Sequence, residues 1–339
     1  MHGLATENRQ RVGLFALVPS ILRRFQLIPA EVLASAGLLP EALDDPEGSI
    51  PYLNAGMLLK VAAEMTDCPH FGLELGKMVR ASSLGLIGEL MRNAPNLREA
   101  LRDFAVNHHR NSHGGVVYVL EEKHSAYFGY AVYELDTPGN QVISDVAALA
   151  AFNFVSEMLG THQVVDLKVL LCRPEPLSLA PYNEAFGVNL RFNAEQTAVV
   201  MPRTWLDKPI PGANSIRRTA LQGLVRSFWG VGDLDIVTQV RRAVRICLVR
   251  GHVSAPVVAR ELGLGGRTLQ RRLNEFGLGF QDVLDQTRCE YAKQMLSNTR
   301  LGIAEIANIV GFKDHSILTR SFTRWAGVTP SGWRAHLLT

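Results

Sequence analysis

Two short runs near the end of the chain carry the side chains best suited to chemistry with base edges. Arg267, Gln270 and Arg271 surround the apolar pair Leu269 and Leu273, and Ser316, Thr319 and Arg320 surround Leu318 and Phe322. On a helix, residues three and four apart share a face, so each apolar pair turns inward and the polar set outward. Arginine offers guanine a fork of two hydrogen bonds and glutamine pairs bidentately with adenine. The hydroxyls of Ser316 and Thr319 either join such contacts or bond their own helix backbone. These six residues are the candidates for base contacts. Arg242, Arg245, Arg272, Lys293, Arg324 and Arg334 are the candidates for phosphate contacts, which supply affinity and salt dependence without naming a sequence.

The elements that must position these groups are short helices separated by glycine corners. The patterning predicts helices over 234–249, 255–262, 267–276, 280–296, 303–310 and 315–325, with stops at Gly263, Gly277, Gly311 and Gly327 and a final turn or helix after Pro330. Two of the units repeat. Val258-Ala259 precedes Leu262-Gly263, and Ile306-Ala307 precedes Val310-Gly311, so each has a small residue four positions before its turn glycine. The second turn is one residue longer. Beyond it the apolar positions agree again, Leu269, Leu273 and Phe276 matching Leu318, Phe322 and Trp325. All six are expected to face the helical core. This is the pattern of a duplicated helix-turn-helix.

The charge distribution points to the same region. Through Asp233 there are 20 Lys plus Arg against 24 Asp plus Glu, a net of −4; from Leu234 onward there are 15 against 8, a net of +7. The chain of 339 residues carries only +3 overall, so the basic third is where a polyanion would bind. The four cysteines, Cys68, Cys172, Cys247 and Cys289, are too dispersed for a zinc site or a disulfide framework. Gly263-Leu264-Gly265-Gly266 lies inside the repeat, not in a phosphate-binding loop after a strand, and no serine sits in a nucleophile elbow. The expectation is a protein without catalytic residues, cofactor or metal. The apolar run 12–22 ends at Arg23 and Arg24 and reads as a buried element, not an export signal, and nothing is long enough to span a membrane.

The first 210 residues mix signals. Helical patterns run over 55–64, 84–91 and 145–159; strand patterns run over 115–120 and 127–134, with further strands over 164–172 and 188–192. Pro202, Pro209, Pro211 and Gly212 then interrupt regular structure, although a short helix fits 218–228. The expected fold class is an α+β N-terminal regulatory domain over 20–208, a linker over 209–233, and an all-α DNA-binding domain with two helix-turn-helix motifs over 234–339.

Several motifs carry a family resemblance. Val258 to Gly263 followed by Arg267 to Leu273, then Ile303-Ala304-Glu305-Ile306-Ala307, Gly311-Phe312, Ser321 to Trp325 and Gly327-Val328-Thr329-Pro330 resemble the DNA-binding domain of the AraC/XylS regulators. Gly266 stands where that family often has serine, and Leu318 where it often has phenylalanine. Pro181-Tyr182, Phe186, Arg191-Phe192-Asn193 and Pro202 to Pro209 resemble the arabinose-binding-type regulatory domain of the subgroup that includes ornithine-utilisation regulators. The resemblance implies two helix-turn-helices joined by the 280–296 helix, about 24 Å long, on successive major-groove segments. It also implies a cytoplasmic transcription activator, nucleoid-associated when bound, with promoter DNA, RNA polymerase, a small-molecule effector and a second copy of the chain as partners. The alternative is a constitutive or architectural DNA-binding protein whose first domain only dimerises. Tyr118, Tyr127, Tyr130, Tyr133 and Trp205 are aromatic candidates for lining an effector pocket, and His108, His109 and Arg110 polar ones, but the effector-binding residues stay unassigned.

Overall fold

The computed structural model describes residues 9–108, 111–112, 114–132, 137–160, 166–228, 236–249 and 253–336. Contacts divide the chain into a first unit ending at Leu221 and a second beginning at Gln222. The first is mixed α+β and the second all-α with two helix-turn-helix motifs, as the patterning predicts.

In the first unit, β1 (Arg9–Arg11) pairs antiparallel with β2 (Ser49–Pro51). The apolar run at 12–22 folds as a 3-10 turn leading into α1 (Val18–Arg24), with Val18, Ile21 and Leu22 fully buried. The helices α2 (Pro29–Ser35), α3 (Tyr52–Met65), α4 (Phe71–Gly76), α5 (Leu86–Arg92) and α6 (Leu97–Asn107) follow. Asn96 caps α6 by accepting the Glu99 N–H at 3.0 Å.

A five-stranded sheet comes next, built from β3 (Gly115–Glu121), β4 (Ser125–Val132), β5 (Lys168–Leu170), β6 (Asn189–Arg191) and β7 (Thr197–Pro202), in the order β3-β4-β7-β5-β6. The β3–β4 hairpin sets Tyr118 opposite Gly129. A Cβ at Gly129 would sit 2.2 Å from the Tyr118 ring, so the glycine is what lets the tyrosine lie across the strand. Residues 133 and 134 of the predicted second strand lie outside the described residues.

Of the five strands of this sheet, β7 has no counterpart in the sequence reading, which also named none of β1, β2, α2, α4, α6 and the helix Ala180–Phe186; β7 is central and pairs with both β4 and β5. Thr197, Ala198, Val199 and Met201 are all buried, so the run lacks the in-out alternation that marks a half-exposed strand.

Helix α7 (Asn140–Met158) packs on α3, α4 and the sheet. Its approach to α4 is close: a Cβ on Gly72 would fall 2.4 Å from the Val142 carbonyl oxygen. Asp145, fully buried on α7, pairs with Arg173 and accepts a 2.7 Å hydrogen bond from the Tyr182 hydroxyl of α8 (Ala180–Phe186). Burial pushes the Asp145 carboxyl up to about 6, against the pull of Arg173 and Tyr182. This network ties α7 to the segments after β5.

Helix α9 (Ser215–Phe228) lies within the predicted linker range. Its first turns are held on the first unit by Arg217 to Glu89 at 2.6 Å and Arg218 to Asp103 at 2.6 Å.

The second unit consists of α10 (Ile236–Val249), α11 (Ala255–Glu261), α12 (Gly266–Asn274), α13 (Phe280–Asn298), α14 (Ile303–Ile309), α15 (His315–Ala326) and α16 (Pro330–His336). Each boundary falls within two residues of the periodicity-based prediction, a margin that fraying ends allow. Val240, Ala243, Val244 and Cys247 of α10 and Val283, Ala292 and Met295 of α13 form the buried frame. The 19 residues of α13 give it a length of about 28 Å.

Candidate nucleic-acid interface

The two helix-turn-helices are α11–α12 and α14–α15. In each, the second helix packs its apolar pair inward: Leu269 and Leu273 on α12, Leu318 and Phe322 on α15, all essentially inaccessible to solvent. The small residues Ala259 and Ala307 are buried as well. The corner glycines Gly263 and Gly311 adopt φ of +65° and +77°, the left-handed backbone that a side chain would strain.

The outward faces carry the predicted groups. On α12, Arg267, Gln270 and Arg271 are exposed, and Arg272 is half-buried. Gln270 donates to Asn274 at 3.0 Å and Arg271 to Glu275 at 3.1 Å, one turn further along. Such exposed pairs are weak and leave the side chains free to exchange partners. On α15, Ser316 and Arg320 are exposed, and Arg320 lies within electrostatic reach of the Asp314 carboxylate. Thr319 is half-buried and donates its hydroxyl to the His315 carbonyl at 2.9 Å. Asp314 caps the helix by accepting the Ser316 N–H at 2.7 Å; that bond draws the Asp314 carboxyl below its ordinary range.

The phosphate candidates are more dispersed. Arg242 and Arg245 lie on α10, but their side chains are outside the described residues. Lys293 stands over the Trp333 ring at 4.6 Å. Arg324, 67% exposed, donates to Asp285 of α13 at 2.7 Å, so a phosphate contact would use its remaining N–H groups or displace that carboxylate. Arg334 donates to the carbonyls of Leu296 at 3.3 Å and Leu301 at 2.7 Å, which holds α16 against the end of α13.

One packing expectation is corrected. Phe276, predicted to continue the apolar line of α12, is 55% exposed. The helix has ended at Asn274, and Gly277, with φ +68°, turns the chain so that the Leu278 N–H bonds back to the Leu273 carbonyl. The ring is left outside. Its counterpart Trp325 is still inside α15 and packs on Phe312, with the indole N–H on Asp285 at 3.2 Å.

Two residues of this surface were missed from the sequence. Ile317, 39% exposed, lies one helical turn before Arg320 and can meet a thymine methyl; a scan for polar residues passes over it. Arg288 of α13 donates to the carbonyls of Val310 at 3.1 Å and Gly311 at 3.0 Å and lies 4.3 Å from the Phe312 ring centre. It thereby satisfies carbonyls at the end of α14 and fixes the second turn. Only its folded neighbours reveal it.

Of the aromatic candidates in the first unit, Tyr130 lines a cavity. Tyr118 lies on the other face of the sheet and donates to Gln196 at 2.5 Å, Tyr127 donates to Glu122 at 3.1 Å, and Trp205 lies under the Lys208 ammonium at 4.1 Å. His108 also lines the cavity; His109, Arg110 and Tyr133 lie outside the described residues. Among the described residues no three His, Cys, Asp or Glu side chains are grouped to hold a metal, and no helix is long and apolar enough to cross a membrane. All four cysteines are free thiols, with Cys68 and Cys247 buried.

A duplicated helix-turn-helix with arginine and other polar side chains on both outward faces defines a sequence-specific DNA-binding regulator, and a helix-turn-helix domain model matches residues 258–336. The chain belongs to the family described as the arabinose-binding domain of AraC transcription regulators, N-terminal, whose model matches residues 27–210. It is 29% identical over 305 residues to the ornithine utilization regulator of Pseudomonas aeruginosa, covering 88% of each chain. It is 28% identical, with the same coverage, to the HTH-type transcriptional regulator VirS of Mycobacterium tuberculosis. The crystal structure of the transcriptional regulator CdpR from Pseudomonas aeruginosa aligns at 25% identity over 92% of this chain and 98% of that one, with a TM-score of 0.44.

Proposed function

We propose that this regulator is a one-component transcription activator: the first unit binds a small-molecule effector, and α12 and α15 enter successive major-groove segments of promoter DNA. The observation that carries this reading is the pair of outward faces, Arg267, Gln270 and Arg271 on one recognition helix and Ser316, Ile317 and Arg320 on the other, each backed by a buried apolar pair. Contacts with RNA polymerase and pairing with a second copy of the chain belong to the same proposal, as does the absence of catalysis. The Pseudomonas relative, named for regulating ornithine utilization, supports control by a metabolite.

Effector control requires two states of the protein that differ in effector affinity. Genome-wide occupancy measured with matched transcription, with and without candidate metabolites, tests the whole reading. The expected result is a small set of promoters, occupied in a sequence-dependent way, whose transcription rises with one metabolite. Even occupancy of unrelated DNA with no metabolite response would replace it with a constitutive architectural role.

A further inference from the structure

The first unit contains a partly open cavity of about 110 Å³. Close-packed interiors seldom keep voids larger than a water molecule, so a space this size needs a cause in the side chains that bound it. One wall is α7, where Ala147, Ala150 and Ala151 succeed one another at three- and four-residue spacing and turn only methyl groups toward the space. Opposite them stand Val117 and Phe128 of the hairpin, on the same face of the sheet as Tyr130, while the strand's alternation sends Tyr118 and Tyr127 to the other. A wall of methyls facing aromatic and branched side chains leaves a slot on the scale of one ring, smaller than the engineered apolar cavity of roughly 150 Å³ that admits benzene but partly open.

One side of the slot is polar. The hydroxyls of Tyr52 and Tyr130 lie 3.3 Å apart, and Asn111 and Ser112 border the same space. The Asn111 side-chain N–H₂ is buried without a hydrogen-bond partner. A buried donor in that condition costs stability until an acceptor reaches it. Burial raises the Tyr130 hydroxyl, so it stays protonated and able to donate. The ionisable lining groups of basic type are Arg11 and His108, and among the described residues no Asp or Glu lines the cavity. Arg11 is paired with Glu47, whose side chain is largely exposed.

We propose that this cavity is the effector site and that it takes a small, mainly apolar molecule, about one six-membered ring in size, whose single polar end is a hydrogen-bond-accepting oxygen of a carbonyl or carboxylate. The apolar walls receive the ring, and the Asn111 amide receives the oxygen. A diamino acid such as ornithine does not fit, because its ammonium groups would be desolvated with no carboxylate among the described lining residues to meet them. This assignment rests on the reading of the first unit as an effector-control domain.

The test uses the purified full chain and five probes, benzamide, benzoate, toluene, benzylamine and ornithine, followed by calorimetric titration and thermal unfolding. Benzamide or benzoate is expected to bind saturably and raise Tm, while benzylamine and ornithine do neither. A preference for benzoate assigns a carboxylate that draws Arg11 from Glu47; equal or tighter binding of benzamide assigns a neutral carbonyl. Ala151→Leu fills the slot and should abolish the binding. Asn111→Ala, which only truncates a side chain, should weaken the oxygen-bearing probes by about tenfold, a typical loss for one buried hydrogen bond, while toluene binds as before. Failure of both oxygen-bearing probes to bind, binding of benzylamine equal to that of benzamide, or undiminished binding to both variants would overturn the proposal. If the bound probe leaves promoter affinity and transcription unchanged, the ligand site stands and effector control falls; a transcription response to a metabolite that Ala151→Leu does not alter places the effector elsewhere and defeats the site.

Discussion

The two helix-turn-helices share an apolar frame and differ in how each is held. In the second, α13 reaches across to the reading head. Arg288 bonds the carbonyls at the end of α14, and Asp285 accepts from both Arg324 and Trp325. Asp314 caps α15. In the first, Gly265 offers α12 no side-chain cap, the bonds of Gln270 and Arg271 stay within its own last turn, and Phe276 hangs in solvent. A repeat in sequence is thus asymmetric in support: the second head is pre-set by its braces, and among the described residues no side-chain bond of that kind from α13 to α12 matches them. Pre-organised contacts lose less on binding than contacts that must first be ordered.

Removing the main brace should have the largest effect. Arg288→Ala is expected to lower the stability of the DNA-binding unit by about 2–3 kcal/mol, since two carbonyl contacts and a ring contact go together. Arg288→Lys should restore only part, because an ammonium cannot reproduce the fork of two donors. Urea unfolding gives the stability, and footprinting should show the second half-site losing protection before the first. Equal loss at both half-sites would remove the asymmetry.

The next contrast sets equivalent positions of the repeat against each other. Trp325→Ala is expected to cost about 2 kcal/mol, below the range for a fully buried aromatic because the ring is only partly enclosed. Phe276→Ala should change stability by less than about 0.5 kcal/mol. Comparable losses for the two would mean that the first head is supported after all.

Arg320→Ala and Arg271→Ala should leave folding untouched and act on binding. Each is expected to relax base preference at one position by about 1–3 kcal/mol if its fork reaches guanine. Arg324→Ala should weaken related sites alike and make the salt dependence shallower by about one phosphate contact. Binding to a panel of promoter variants at several salt concentrations separates the patterns; a uniform effect for Arg320→Ala would count against base reading there.

The smallest effect is a gain. Gly265 has φ −76° and ψ 149°, a backbone any residue adopts, and nothing crowds its Cβ. Gly265→Ser should supply the missing cap and stabilise the first head by a few tenths of a kcal/mol. No gain in the melting temperature would show that α12 is already held at its start.

Legibility varied along the chain for physical reasons. The helices of the second unit stood out because amphipathic spacing, small residues at the crossing and left-handed glycines are all local signals. In the first unit the β3–β4 hairpin was readable from its Val, Tyr and Phe content, but β7 was not, because a strand buried on both faces loses its alternation. The outward groups of α12 and α15 were readable as a set. Their braces were not: Arg288 and Asp285 look like ordinary surface charges on a long helix until the fold brings Gly311 and Trp325 to them.

By itself the sequence determined the helix-turn-helix repeat, the basic end of the chain and the α+β character of the first unit, since each follows from the preferences of residues within a few positions of one another. The tertiary structure decided which tyrosine faces the cavity, where the central strand lies, and which reading head is braced. Those outcomes depend on pairings between residues far apart in the chain, and local spacing does not specify the partner.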